Sequence, residues 1–144
     1  MYQIILLPLI AGLIAQVIKI FIESNNLKPN LKVITAYSGM PSGHSATVVA
    51  LATITALIEG IDSSIFAISL IFATLTIRDA VGIRQYLGQH GKTLNELVSD
   101  LGNDHVLDKK YPHLLEKIGH TPFQAFIGGI IGFIVSILGF LILN

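Results

Sequence analysis

Four apolar stretches alternate with polar segments along the chain. The two longest cover residues 2–22 and 123–143. Each has the roughly 20 residues that a helix needs to cross a hydrocarbon core about 30 Å thick. The stretches 46–58 and 65–77 flank a polar turn, and each reaches only about 20 Å as a helix, so they span with flanking residues or by thinning the bilayer. The pattern predicts an all-α integral membrane bundle with about four spanning helices, two of them short.

Residues 85–119 form the sizeable polar segment of the chain. Leu94, Leu97 and Leu101 are spaced like one apolar face of a helix that lies at the surface, and Pro112 interrupts any continuous helix. We therefore expect a surface helix within this loop. Because the first apolar stretch lacks a basic start and a small-residue cleavage site, we expect it to be retained, within a single membrane-embedded domain over 1–144.

Composition supports a membrane protein and excludes other classes. Apolar residues make up 52% of the chain and charged residues 12%, about half the charged share of a soluble domain. Nine basic and nine acidic side chains cancel, which gives no reason to expect a nucleic acid partner. Cysteine is absent, so disulfides, thiolate nucleophiles and cysteine-ligated metals are excluded.

The distribution of charge predicts an orientation. With four crossings, every Lys and Arg falls on one membrane face, whereas the opposite face carries Glu59 and Asp62. The positive-inside bias places the basic face in the cytoplasm and both termini outside, in a multi-pass protein of the cell membrane. The polar groups with candidate chemistry all lie at this basic face, so they are able to converge.

Charged side chains at the ends of apolar helices are candidates for function, because their burial costs free energy. Lys19, Arg78 and Asp79 lie at such positions. The alternatives are that Lys19 extends to the lipid headgroups and that Arg78 and Asp79 form a structural pair.

Two predicted helix entries each carry a histidine. Residues 41–44 read Pro-Ser-Gly-His and residues 119–122 read Gly-His-Thr-Pro. A turn with a helix cap explains the Pro, Ser and Gly residues but not the histidines. A helix N-terminus with nearby cations suits a phosphate, and two histidines supply a nucleophile and a proton donor. This predicts phosphoryl transfer without a metal or other cofactor; a zinc site, the competing interpretation, lacks the usual close ligand spacing.

Three segments carry a resemblance to a known family. Residues 39–46 and 119–128 resemble the central and last signatures of the superfamily of type 2 phosphatidic acid phosphatases and vanadium haloperoxidases. Residues 78–84, followed by Leu94 and Asn95, resemble its small divergent bacterial and plant branch. The similarity covers nearly the whole chain.

The resemblance implies roles for individual residues. His120 would attack phosphorus and form a phosphohistidine, and His44 would protonate the departing oxygen. Ser42 and the amide of Gly43 would hold phosphate oxygens, and Lys19 matches the lysine of the first signature.

The chain departs from the superfamily pattern at three positions. Asn26 and Leu114 stand where the first and last signatures have arginines, so Arg78 or Arg84 would supply a guanidinium to the phosphate. Gln124 stands where a carboxylate usually follows the nucleophile. An amide orients the ring without neutralising its charge, and Asp79 is the candidate replacement for the carboxylate.

Two functions follow from these expectations. The first is a membrane phosphatase that hydrolyses a lipid phosphate or pyrophosphate, of polyprenyl or diacylglycerol type, at the cytoplasmic face. The alternative is a non-enzymatic protein that binds or carries a lipid phosphate. Gly128, Gly132 and Ser136 recur every four residues and serve either dimerisation or internal packing, and we predict a homodimer.

Overall fold

The computed structural model describes residues 2–22, 39–100 and 113–143. Asn26, Leu101 and Pro112, which entered the sequence predictions, lie outside these residues. The helices are, in chain order, α1 (Tyr2–Phe21), α2 (Gly43–Glu59), α3 (Ser64–Val81), α4 (Ile83–Asp100) and α5 (Pro122–Leu143). The predicted all-helical membrane bundle is confirmed.

Three helical stretches are long and apolar enough to cross a membrane: α1, α5 and the stretch Ser64–Asp100, in which α4 follows α3 after Gly82. Helix α2 is apolar but has only 17 residues, as the short hydrophobic stretch predicted. Helix α3 is longer than its apolar stretch, because the helix continues through Arg78 and Asp79. It ends at Gly82, whose N–H donates to the carbonyl of Arg78.

Helix α2 lies at the centre of the bundle, with α1, α3 and α5 packed around it. Ala46, Ala50 and Ile54 of α2 are fully buried. The hydroxyls of Thr55 and Ser69 lie 2.8 Å apart and join α2 to α3. In contrast, α1, α3 and α5 expose large apolar side chains, as expected for helices that face lipid.

The small residues of α5 pack against α2 within the same chain. A β-carbon at Gly128 or Gly132 would collide with the backbone carbonyls of Ser42 and Ala46, and Ser136 donates a hydrogen bond to the carbonyl of Ala50 at 2.9 Å. These contacts account for the spacing of the small residues by internal packing. The homodimer stays a prediction.

This packing predicts that Gly132→Ala destabilises the protein by about 1–3 kcal/mol, because an added methyl would meet backbone atoms of α2 that have little freedom to move. The matched control is Gly129→Ala, whose new methyl would lie 3.4 Å from Val49, an ordinary contact. Thermal unfolding in mild detergent measures both variants. Equal melting temperatures for the two would contradict the close approach of α5 to α2.

The four bundle helices alternate in direction. At one end of the bundle, the Gln3 side chain of α1 donates to the carbonyl of Leu143 of α5 at 3.4 Å. The opposite end, called here the site end, therefore gathers the end of α1, the start of α2, the end of α3 and the start of α5.

Helix α4 leaves the bundle at the site end. Its exposed apolar residues Tyr86, Leu87, Leu94 and Leu97 share one face, in agreement with the predicted surface helix. Another face of α4 contacts residues 113–119, called here the strap, which lead directly to His120. The strap connects the surface helix to the bundle.

Candidate functional site

His120 lies between the strap and α5, and it is 3% exposed. Its backbone N–H donates to the carbonyl of Ala80 at 2.9 Å. Its Nδ1 lies 3.0 Å from the carbonyl oxygen of Gly39. Since a carbonyl only accepts, Nδ1 must carry the proton, and the lone pair of the neutral ring is on Nε2. The ring is held in the tautomer that a nucleophile at Nε2 requires.

The surroundings of His120 keep its ring neutral at pH 7. Burial lowers the pKa of His120 to about 4, and the charges of Lys19 and His44 contribute in the same direction. The hydrogen bond to Gly39 and the Gln124 side chain act in the opposite direction but are outweighed. A neutral imidazole is the nucleophilic form.

His44 lies in the first turn of α2 and faces the same region. The ring centroids of His44 and His120 are 6.2 Å apart, and the ring planes are inclined by 58°. The charges of Lys19, Asp79 and Arg84 all lie near enough to act on the His44 ring. The structure therefore brings the two histidines together with charged groups from α1, α3 and α4.

Lys19 lies in the last turn of α1 and is 1% exposed. One turn earlier on α1, the amide of Gln16 packs against Gly43, 3.1 Å from where a β-carbon of Gly43 would lie. The end of α1 is thus pressed against the start of α2, which places a buried ammonium beside the two imidazoles.

Ser42 is the N-cap of α2 and is fully buried. Its Oγ accepts hydrogen bonds from the backbone N–H of Ser45 at 3.3 Å and from the Ser45 hydroxyl at 3.2 Å. Because both lone pairs of Oγ accept hydrogen bonds, the Ser42 hydroxyl can still donate its proton to an anion. Gly43 follows at the first helical position, where backbone N–H groups and the helix dipole favour negative charge.

The two candidate arginines lie in different environments. Arg84 Nε donates to Asp79 Oδ2 at 2.6 Å, and both side chains are about one-third exposed, at 33% and 38%. Arg78 lies on the exposed side of α3, away from the buried residues Ala73 and Ala80. The structure brings Arg84 and Asp79 near His44, whereas the role of the exposed Arg78 in phosphate binding stays a prediction.

Gln124 belongs to the capping of α5. Its Oε1 accepts from the backbone N–H of Thr121 at 3.0 Å, and the backbone N–H of Gln124 donates to the Thr121 hydroxyl at 3.3 Å. This reciprocal arrangement satisfies free N–H groups at a helix start. The orienting role of Gln124 stays a prediction, while the partner found at Nδ1 of His120 is the carbonyl of Gly39.

Sequence reasoning missed two features of the site. One is Gly39, because it contributes a backbone carbonyl, which every residue possesses. Its φ of +100° favours glycine, so the glycine at this position is the signal that the sequence carries. The other is an apolar groove of about 510 Å³ that begins at Pro122, two residues from His120, and that no single helix reveals. It is lined by residues of three helices, among them Val49, Val81, Pro122, Phe126, Gly129 and Phe133.

The groove begins at the site end and follows the surface of the bundle, where its lining residues Phe126, Ile130 and Phe133 are exposed. Pro122 lies two residues from His120, and Val81 follows Ala80, whose carbonyl binds the His120 backbone. From Pro122 to Phe133 the groove follows α5 for about 16 Å at 1.5 Å per residue. In the part of the chain that the structure describes, no three His, Asp or Glu side chains form a group that would hold a metal ion.

Comparison with known proteins gives two matches. Residues 2–135 match the family described as the Divergent PAP2 family. The chain is 40% identical over 146 residues to the "Uncharacterized membrane protein YuiD" of Bacillus subtilis (strain 168), covering 93% of this chain and 91% of that protein. No solved structure matches the chain with statistical significance.

Proposed function

The chain belongs to the divergent PAP2 family, and from this premise we propose that it hydrolyses a lipid phosphate or pyrophosphate through a phosphohistidine on His120. The observation that carries the proposal is the pairing of two imidazoles, 6.2 Å apart, one of them buried and held with Nε2 unprotonated. If these residues only began two helices, neither imidazole ring would need to be buried.

The geometry supports a two-step reaction. His120 Nε2 attacks phosphorus, the bond from phosphorus to the leaving oxygen breaks, and His44 gives that oxygen a proton. The negative charge of the bound phosphate favours the protonated form of His44 before transfer. Water then attacks phosphorus and gives a proton to His44, the bond from phosphorus to Nε2 of His120 breaks, and inorganic phosphate leaves.

The charge of the phosphate is met from three directions. Lys19 supplies a buried ammonium from α1, Ser42 and Gly43 supply a hydroxyl and the N-terminus of α2, and Arg84 supplies a guanidinium from α4. Such fixed donors stabilise negative charge more strongly in a water-poor site than in bulk water.

The apolar groove supports a lipid as substrate. It starts at Pro122, two residues from His120, and follows α5 away from the site end, so a hydrocarbon chain placed in it would leave its phosphate near the site end. The site end also carries the basic side chains of the described residues, whereas Glu59 and Asp62 lie at the opposite end. The positive-inside bias therefore supports a site at the cytoplasmic face.

The test is release of inorganic phosphate by the purified protein in mild detergent. The substrates are polyprenyl phosphate, polyprenyl pyrophosphate and diacylglycerol phosphate, with glycerol phosphate as the matched compound that lacks a hydrocarbon tail. We expect release that vanadate inhibits from at least one lipid, at least about 10-fold faster than from glycerol phosphate, because the groove stabilises the bound tail. Equal rates with glycerol phosphate would contradict the lipid substrate.

A specific observation favours the second candidate, a protein that binds or carries a lipid phosphate without hydrolysing it. No carboxylate contacts Nδ1 of His120 among the described residues, since its partner is the neutral carbonyl of Gly39. A carbonyl fixes the tautomer but stabilises the charged ring less than a carboxylate does. Saturable binding of the lipids without phosphate release in the same assay would establish this function.

A further inference from the structure

The strap lies directly on the backbone of α4. A β-carbon at Gly88 would come within 2.5 Å of the carbonyl oxygen of Glu116, and one at Gly91 within 2.8 Å of that of Leu115. Both distances are shorter than a side chain tolerates against backbone atoms. The strap therefore lies against a face of α4 where two glycines leave the helix backbone without side chains.

Asn95 continues this face one turn further along α4 and contacts three strap residues, His113, Leu114 and Glu116. Its Oδ1 accepts from the N–H of Leu114 at 2.9 Å, and its Nδ2 donates to the carbonyl of Leu114, also at 2.9 Å. The same Nδ2 lies 2.9 Å from Oε1 of Glu116. An amide side chain offers a donor and an acceptor at once, so Asn95 binds both backbone groups of Leu114 as a neighbouring strand would.

The other end of the strap is held as well. Gly119 has a φ of +88°, and a β-carbon there would lie 2.7 Å from the backbone nitrogen of Gln85 in the first turn of α4. The next residue, His120, donates its backbone N–H to the carbonyl of Ala80. The strap thus runs between an attachment at Asn95 and an attachment immediately before His120.

The strap runs antiparallel to α4 in a defined register. Gly119 lies against Gln85 in the first turn of α4, Glu116 lies against Gly88, and Leu115 lies against Gly91. Successive residues of an extended chain are about 3.3–3.6 Å apart, so a slip of one residue at Asn95 would shift the strap along α4 by about 3 Å.

We propose that Asn95 is a positioning residue for hydrolysis: its amide fixes the register of the strap on α4 and thereby holds His120 at attacking distance from phosphorus. This inference rests on the proposed function. Displacement of a reacting atom by about 1 Å costs roughly 100-fold in rate, so the register of the strap controls turnover although Asn95 does not touch the substrate.

The experiment compares Asn95→Ala with Gln89→Ala, which removes an exposed amide from the polar side of α4. We expect Asn95→Ala to lower kcat at least about 10-fold with little change in KM, because Lys19, Ser42 and the start of α2 are untouched. Gln89→Ala should retain the wild-type kcat. Gly88→Ala displaces the strap by a different route, a collision with Glu116, and should lower kcat similarly.

A second readout does not depend on turnover. Diethyl pyrocarbonate modifies exposed histidines, and mass spectrometry follows the modification of His120 separately from that of the other histidines. His120 is buried, so it should react slowly in the wild-type protein and at least about 5-fold faster in Asn95→Ala and Gly88→Ala.

The outcomes separate this inference from the proposed function. Unchanged kcat and unchanged His120 modification in both variants would overturn the positioning role. A rise in KM together with loss of the thermal transition would also overturn it, because that result indicates a general structural role. If the wild-type protein releases no phosphate, hydrolysis is wrong, and faster modification of His120 in the variants would still support the register of the strap.

Discussion

Replacing His120 by alanine is expected to lower kcat/KM for the lipid phosphate by at least about 10³-fold. The substitution removes the atom that forms the covalent bond to phosphorus, and the remaining groups stabilise charge without offering another nucleophile in the same place. Binding of the substrate should change little, because the cations and the start of α2 remain. Phosphate release and equilibrium binding of the lipid, measured on the same preparation, separate the two effects.

The matched control for this variant is His90→Ala. His90 lies on the exposed side of α4, so its loss should leave both release and binding unchanged. Acid quenching of the wild-type protein with labelled substrate should trap an acid-labile phosphohistidine that His120→Ala lacks. Release that survives His120→Ala would identify a different nucleophile.

The sequence predicted the helices well because the bilayer imposes a simple requirement. A spanning helix needs about 20 apolar residues, and the stretches 2–22 and 123–143 meet it without reference to any neighbour. The convergence of His44 and His120 followed from the same logic, since alternating helices bring every second end to one membrane face. Four alternating helices leave little freedom in this part of the architecture.

The sequence alone could not decide whether Arg78 or Arg84 lies near His44. Arg78 lies five residues after the buried Ala73, a rotation of about 140° on the helix, which turns it to the exposed side. Arg84 lies beyond Gly82, where the helical phase is interrupted and no longer extrapolates from α3. Only the packing of α4 against the end of α3 decides where its guanidinium lies.

Backbone groups were invisible to sequence reasoning for a different reason. The carbonyl of Gly39 and the register of the strap on α4 depend on main-chain atoms that every residue shares. This matters for function, because the carbonyl of Gly39 orients the His120 ring, a role that the superfamily signatures assign to a carboxylate. A search restricted to charged side chains would have judged the histidine unsupported.

Burial distinguishes Lys19 from Arg84 as a cation for phosphate binding. Arg84 lies 2.6 Å from the Asp79 carboxylate and is one-third exposed, so a bound phosphate competes with Asp79 and with water for this guanidinium. Lys19 is 1% exposed, and its charge acts where water screens it least. Among the cations near His44 and His120, we infer that Lys19 contributes most to anion affinity.

Lys19→Met is therefore expected to weaken binding of the lipid phosphate by about 30-fold or more. Methionine keeps most of the length and apolar volume of the side chain, so the variant removes the charge while preserving the packing of α1 on α2. Loss of one member of a buried charge pair costs about 2–5 kcal/mol, which corresponds to at least tens of fold in affinity. Equilibrium binding measures the change, with vanadate as a second anion.

The control is Lys92→Met, which removes an exposed lysine whose nearest ionic partner, Glu96 Oε1, lies 3.6 Å away on the surface of α4. The affinity of Lys92→Met for the lipid phosphate and for vanadate should equal that of the wild-type protein. Unlike His120→Ala, Lys19→Met tests a property that hydrolysis and binding without hydrolysis both require. Unchanged affinity in a Lys19→Met protein that retains its thermal transition would therefore contradict the leading role of Lys19 in anion binding under either function.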